Sequence, residues 1–172
     1  MRFEKVSAYP DAILPTRATA GSAGYDFYCV KDTIIPTIAK LQRGLYEVAS
    51  NDSQERNIVD IIKSTGYKPT LIPTGIKAQI DPGYYLQLAI RSSTPLKRWI
   101  ILANGIGVID TDYYNNPDNE GHIMIQVINL SPMDQIVHKG EKIAQGIFLP
   151  YVITDDDNTS GTRTGGFGST GG

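Results

Sequence analysis

The sequence predicts an all-β fold, a sandwich or jelly-roll-like barrel, and three observations carry that prediction. Short runs alternate apolar and polar residues. Glycine, proline and Asp/Asn turn signals separate those runs at close intervals. Helical spacing of apolar residues is almost absent. At 172 residues the chain is long enough to bury a sizeable core as one domain. We expect that domain over residues 1–154, followed by a flexible arm over 155–172.

In chain order, the first twenty residues hold one short extended piece, then Asp11 to Arg17, where Pro15 argues against helix. A glycine turn leads into a strand in which Tyr25, Phe27 and Cys29 alternate with Asp26 and Tyr28. An acid in that setting is ordinarily solvated or capping a turn, with a ligand role as the sharper alternative. Composition shifts over about 37–68, between Pro36 and Pro69. Asn51 and Asp52 offer N-caps, Asp52 with Glu55 resembles a capping box, and Ile58, Ile61 and Ile62 recur at helical spacing before Gly66. One short inserted helix is expected there. Strands follow over Leu71–Ile80 and Tyr84–Ile90, joined by the turn Asp81-Pro82-Gly83. Arg91 to Pro95 reads as a polar loop, and Trp99 to Ala103 as a buried apolar run. His122–Leu130 and Lys142–Pro150 are further strands, the last interrupted by Gln145 and Gly146. A sandwich of this kind leaves edges to cover, so the long tail is a candidate for reaching a neighbouring subunit.

Charge and cysteine content exclude several classes. Sixteen basic and eighteen acidic residues give a net charge of −2, so no basic field attracts nucleic acid. With one cysteine and two distant histidines, His122 and His138, neither an internal disulfide nor a zinc site is expected. The opening residues M-R-F-E-K-V lack an apolar signal segment, and no run approaches a membrane span. A cytoplasmic, soluble protein is expected, and the sequons at Asn51 and Asn158 are then chance matches.

The chemistry concentrates in N-G-I-G-V-I-D-T-D-Y, Asn104 to Tyr113. Alternation along a strand would put Asp110 and Asp112 on one face, where two acids repel unless a cation or polarised water relieves them. On these ten residues alone, a polar hairpin tip is the plainer reading. The end of the chain is the second informative stretch. Gly166 to Gly171 matches G-x-G-x-x-G, but no predicted strand precedes it and no helix follows, so a dinucleotide-binding reading fails. By composition this tail is disordered. An arginine, one aromatic, hydroxyls and glycines also suit a segment that orders on an anion. Both readings stay open.

Five segments in order resemble the trimeric deoxyuridine triphosphatase (dUTPase) family: A-G-Y-D-F from Ala23, R-S-S from Arg91, N-G-I-G-V-I-D-T-D-Y from Asn104, G-E-K-I-A-Q from Gly140 and G-G-F-G-S-T-G from Gly165. P-T-G at Pro73 and D-P-G-Y at Asp81 are also like the family. The resemblance implies a jelly-roll-like fold, a homotrimer with shared active sites, and Mg²⁺-assisted hydrolysis of dUTP to dUMP and pyrophosphate. It makes Asp110 the general base. It gives Asn104, Gly107 and Ile109 to the uracil and sugar pocket, with Tyr113 against the sugar. Arg91, Ser92, Ser93 and Gln145 would contact phosphates, Arg91 from a neighbouring subunit. Asp26 would meet the metal through water. In the arm, Phe167 would cap the uracil, while Arg163, Gly168, Ser169 and Thr170 would hold the terminal phosphates.

The chain also departs from that pattern. The family has one more residue between the tail arginine and phenylalanine, many members carry glycine in place of Ser93, and both 37–68 and Asn115 to Glu120 look inserted. A dCTP deaminase shares the fold and R-S-S, but places a glutamate where this chain has Gln126, and an amide cannot shuttle protons as a carboxylate does. Phage members of the dUTPase family are known to bind repressor proteins. The insert is accordingly a candidate site for a regulatory protein partner, although its apolar edge more simply packs on its own barrel.

Overall fold

The computed structural model describes residues 1–51, 58–161, 163 and 165. The expected capping box at Asp52 and Glu55, and the arm residues Phe167, Gly168, Ser169 and Thr170, lie outside them. Strands β1 (Arg2–Lys5), β2 (Thr16–Arg17), β3 (Tyr25–Tyr28) and β4 (Thr33–Ile35) come first. The insert carries helices α1 (Ala39–Asn51) and α2 (Ile58–Ser64). Then follow β5 (Thr70–Gln79), β6 (Tyr84–Ile90), α3 (Ser93–Arg98), β7 (Ile100–Leu102), β8 (Gly107–Ile109), β9 (Ile123–Asn129), β10 (Gln135–Val137) and β11 (Lys142–Pro150).

One sheet has the order β1-β5-β9-β7 and the other β2-β3-β11-β6-β8, with β10-β4 as a separate ribbon. The predicted all-β class therefore stands, as two facing sheets. Alternation puts Ile123, Ile125 and Val127 of β9 inside, where they join Ile72, Ile76, Leu86, Ile100 and Ile143 in one core. Phe27 is fully buried beneath Phe3, with ring centroids 5.4 Å apart and edge to face. Gly146, which interrupts the apolar pattern of β11, makes that packing possible: a Cβ there would come within 2.7 Å of the Phe27 ring.

The P-T-G segment breaks the register of β5 against β9 between Pro73 and Ile76. Gly75 sits at φ +69°, and a Cβ would meet Ala12, Tyr9 and Val30 at 2.7–2.8 Å, so only glycine suits the position. Its N–H donates to Nε2 of His122 at 2.8 Å. That bond requires an unprotonated Nε2, and burial holds the ring below the usual imidazole range. A depressed histidine stabilises the fold above its unfolded value of about 6.5, and loses that contribution as pH falls through the folded value. Melting temperature should accordingly decline between pH 7 and 5. His122→Gln, which keeps an acceptor, should flatten the decline; equal slopes in both proteins would refute the assignment.

Several local expectations need correction. α2 ends where expected, with Gly66 at φ +66°. Asn51, however, closes α1 instead of capping a helix. α1 itself was not anticipated, because neither its first nor its last turn carries the charges that usually mark helix ends. Of the three insert isoleucines, Ile62 is exposed, and the side chains of Ile58 and Ile61 fall outside the description. The loop after Arg91 is instead α3, which tolerates Pro95 in its first turn because the missing N–H would have no partner there. Trp99 ends that helix in a left-handed conformation and is exposed, so the buried run narrows to Ile100 and Leu102.

The insert is rooted on one buried amide. Asn129 Nδ2 donates to the carbonyls of Ile35 and Met133 at 3.0 and 2.8 Å, and its Oδ1 accepts from the Ser131 N–H at 2.9 Å. The Asn129 carbonyl accepts from the Ile38 N–H at 2.9 Å, and Asp134 accepts from the Thr37 N–H at 2.9 Å.

Candidate active site

The connection from β7 to β8, which crosses between the two sheets, and the turn after it form one wall of a pocket of about 170 Å³. Asn104, Gly107, Ile109, Tyr113 and Arg163 line it together, as five of the residues singled out from sequence. Leu88, Met124 and Gln126 line it too, and sequence reasoning did not assign them to the site. Their signal was alternation: Met124 and Gln126 are the outward residues of β9, between its core-facing isoleucines. Gly107 is at the entry because β8 lies hard against β6. A Cβ there would sit 3.1 Å from the Leu88 side chain.

β8 stops at Ile109, one residue short of the first acid. Asp110 has extended backbone angles and opens a 3-10 turn, Thr111–Tyr113. The two acids therefore converge through a turn and not, as expected, through strand alternation. Arg163 relieves their repulsion. Its guanidinium donates to Asp112 Oδ1 at 2.8 Å and to Asp110 Oδ2, and it lies 5.7 Å from the centre of the Tyr113 ring. The fork of the guanidinium thus spans both carboxylates. Asp110 keeps about half of its side-chain surface open, leaving it accessible to water. Tyr113 is buried, and burial pushes its phenol above the usual range, so it stays a hydrogen-bond donor.

The remaining predicted residues gather elsewhere. Arg91 follows β6, and its Nε lies 3.1 Å from Asp26 Oδ1. Lys142 Nζ donates to Asp26 Oδ2 at 2.7 Å. Asp26 is buried, so it is neither solvated nor a turn cap; two cations hold it. Gln145 is opposite Asp26 in the β11–β3 register, with its side chain against Gly24. Ser92 precedes α3 without a side-chain capping bond, and Ser93 begins that helix. None of Asp26, Arg91, Ser92, Ser93 and Gln145 lines the Tyr113 pocket. Register explains the separation. Ile109 pairs with Leu86, which puts Asp110 opposite Tyr85, and Arg91 stands six residues farther along. At about 3.4 Å per residue, roughly 20 Å of chain separates them.

Comparison with known proteins gives one family throughout. The dUTPase family model matches residues 57–171. A deoxyuridine 5′-triphosphate nucleotidohydrolase of Lactococcus lactis is 37% identical over 98% of this chain and 96% of its own. One from Hydrogenobaculum is 32% identical over 94% and 92%. The crystal structure of a dUTPase from Streptococcus mutans superposes with a TM-score of 0.71 at 36% identity, covering 90% of this chain and 99% of that one. The dUTPase of Staphylococcus aureus phage phi11 shares the fold at 16% identity and a TM-score of 0.63, over 95% and 99% of the two chains. Neither the relatives nor Gln126, an amide in the pocket wall, favours the deaminase alternative. The chain belongs to the dUTPase family and is a deoxyuridine triphosphate nucleotidohydrolase by that membership.

Proposed function

We propose that this dUTP hydrolase releases dUMP and pyrophosphate by attack of water on the α-phosphorus, with Asp110 as general base. That reaction keeps uracil out of DNA and supplies dUMP for dTMP synthesis. One observation carries the reading: an accessible carboxylate stands in a turn between two pocket-lining residues, Ile109 and Tyr113. A nucleoside in that pocket places its phosphates near the Asp110 end. Asn104 has both the donor and the acceptor that a uracil edge requires. The Tyr113 ring is the surface against which a 2′-deoxyribose packs and a ribose does not. Asp110 takes the proton of the attacking water as the P–O bond forms.

Shared sites in a homotrimer accompany this reading. The roughly 20 Å of strand between Arg91 and Asp110 is too long for one chain to bring both to a single α-phosphate. Arg91, Ser92 and Gln145 of one copy would therefore serve the pocket of another. Mixing inactive Arg91→Ala and Asp110→Asn chains should restore turnover; an inactive mixture would refute sharing.

The residues fit Mg²⁺ carried on phosphate oxygens better than a protein cage. Among the described residues, no three His, Cys, Asp or Glu side chains converge on one point. Asp26 would meet the ion through water, as Mg²⁺ keeps much of its hydration and prefers phosphate oxygens. When bound, the ion supplies charge neutralisation of the triphosphate. No helix of the described residues is long and apolar enough to cross a membrane. A cytoplasmic location agrees with a nucleotide substrate.

A protein partner at 37–68 is a compatible second role. Between the insert and β5 lies a groove of about 630 Å³, edged by Ile34, Tyr67 and Leu71. A similar fold occurs in the dUTPase of Staphylococcus phage 80alpha, one of the phage dUTPases that control transfer of virulence genes. Deleting residues 40–65 should spare turnover and abolish any partner capture. The main reading is tested by pyrophosphate release from dUTP, dTTP, dCTP and UTP with Mg²⁺. Only dUTP should react well, and ammonia from dCTP would overturn the assignment.

A further inference from the structure

The loop Asn115–Glu120 closes on Tyr113. Asn119 Nδ2 donates to the Tyr113 hydroxyl at 2.9 Å, and that hydroxyl donates to the His122 carbonyl at 3.0 Å. Asn116 Nδ2 donates to the Tyr113 carbonyl at 2.9 Å, so both ends of the residue are tied. The orientation of the Asn119 amide follows from its other partners. Its Oδ1 accepts from the Gly121 N–H at 3.0 Å and from Asn116 Nδ2 at 2.8 Å, which leaves Nδ2 for the phenol.

The loop has little freedom to let go. Asn115, Glu120 and Gly121 all adopt positive φ, at 57°, 60° and 79°. A Cβ on Gly121 would come within 2.5 Å of the Tyr113 carbonyl oxygen. Lys77 Nζ donates to Asn115 Oδ1 at 2.6 Å, and the Glu120 carboxylate accepts from the Ser7 N–H at 3.2 Å. Both ends of the loop are thereby fastened to the body of the protein. Asn116 is buried among these bonds.

We propose that Asn119, backed by Asn116, is a positioning residue that sets the preference for deoxyribose over ribose by fixing the Tyr113 ring. The proposal rests on the reading of Tyr113 as the sugar-facing ring. Rejecting one added hydroxyl by contact is a matter of where a ring edge stands. An unanchored ring yields to the larger sugar, and one held at its hydroxyl does not. The insertion thus tightens a gauge that Tyr113 alone would form more loosely.

The test measures kcat/KM for dUTP and UTP with the full chain and Mg²⁺. Asn119→Ala removes the donor to the phenol, together with the acceptor for Gly121 and Asn116. Selectivity should fall about tenfold, the worth of one buried hydrogen bond. The fall should come through faster UTP turnover, with kcat on dUTP little changed. Tyr113→Phe breaks the same bond, and the one to the His122 carbonyl with it, without touching the loop, and covers the case in which the Asn119 variant folds poorly. It should lower selectivity at least as much, and the double variant no further than Tyr113→Phe alone. Unchanged selectivity in Asn119→Ala or additive losses, with Tyr113→Ala losing selectivity, would overturn the positioning role alone. Wild-type selectivity in Tyr113→Ala would instead overturn the sugar-facing reading, and the inference with it.

Discussion

Asp110→Asn is expected to lower dUTP turnover by about 10²–10⁴-fold, the usual worth of a positioned general base. Binding of dUTP should survive, because Asn104, Tyr113 and the pocket wall are untouched. The fold should survive as well. Asp110 opens the 3-10 turn without a side-chain capping bond, and asparagine is as good as aspartate at that position. Its amide can still accept one bond from Arg163, and Asp112 keeps the second. The loss should therefore fall on kcat. Pyrophosphate release, together with calorimetric titration of a non-hydrolysable dUTP analogue, separates the two effects. Turnover close to wild type would remove Asp110 from the role of base.

Truncation after Gly161 is expected to reduce kcat/KM for dUTP by about 10²–10³-fold, as loss of preorganised donors to a charged transition state does. It removes Arg163, whose guanidinium reaches both acids and the Tyr113 ring, and with it the glycine-rich end of the arm. The core should be nearly indifferent. Residues 151–161 are exposed, and among the described residues the Tyr151 N–H ties them to the body by donating to the Gly83 carbonyl at 3.0 Å. Melting temperature should accordingly stay within a few degrees of the full chain. An unaffected rate would show the arm to be dispensable, while a large fall in melting temperature would make it part of the core.

Much of this was legible in the sequence, wherever the cause is local. β6 and β11 lie at their expected boundaries, since alternation and the glycine turns at Gly83 and Gly140 are properties of neighbouring residues. Five pocket residues were likewise found from motifs. The errors fall where a distant partner decides. Trp99 opens an apolar run, so it reads as buried; the helix before it ends on it in a left-handed conformation, and it is exposed. Asp26 reads locally as solvated or capping a turn, yet its partners Arg91 and Lys142 arrive from the end of β6 and from β11.

The stretch from Asn104 to Tyr113 marks the same division. The resemblance carried by five motifs in order was enough to select Asp110 and Tyr113 and to propose a nucleotide. They could not say what holds those side chains. That depended on Arg163, 53 positions from Asp110, and on the Asn116–Asn119 loop, whose residues read only as a polar tip. Patterns of period two and left-handed glycines are written in short segments, and short segments determine strands and turns. Hydrogen bonds between remote side chains have no sequence period, so only the folded chain could decide which acid is capped and which ring is clamped.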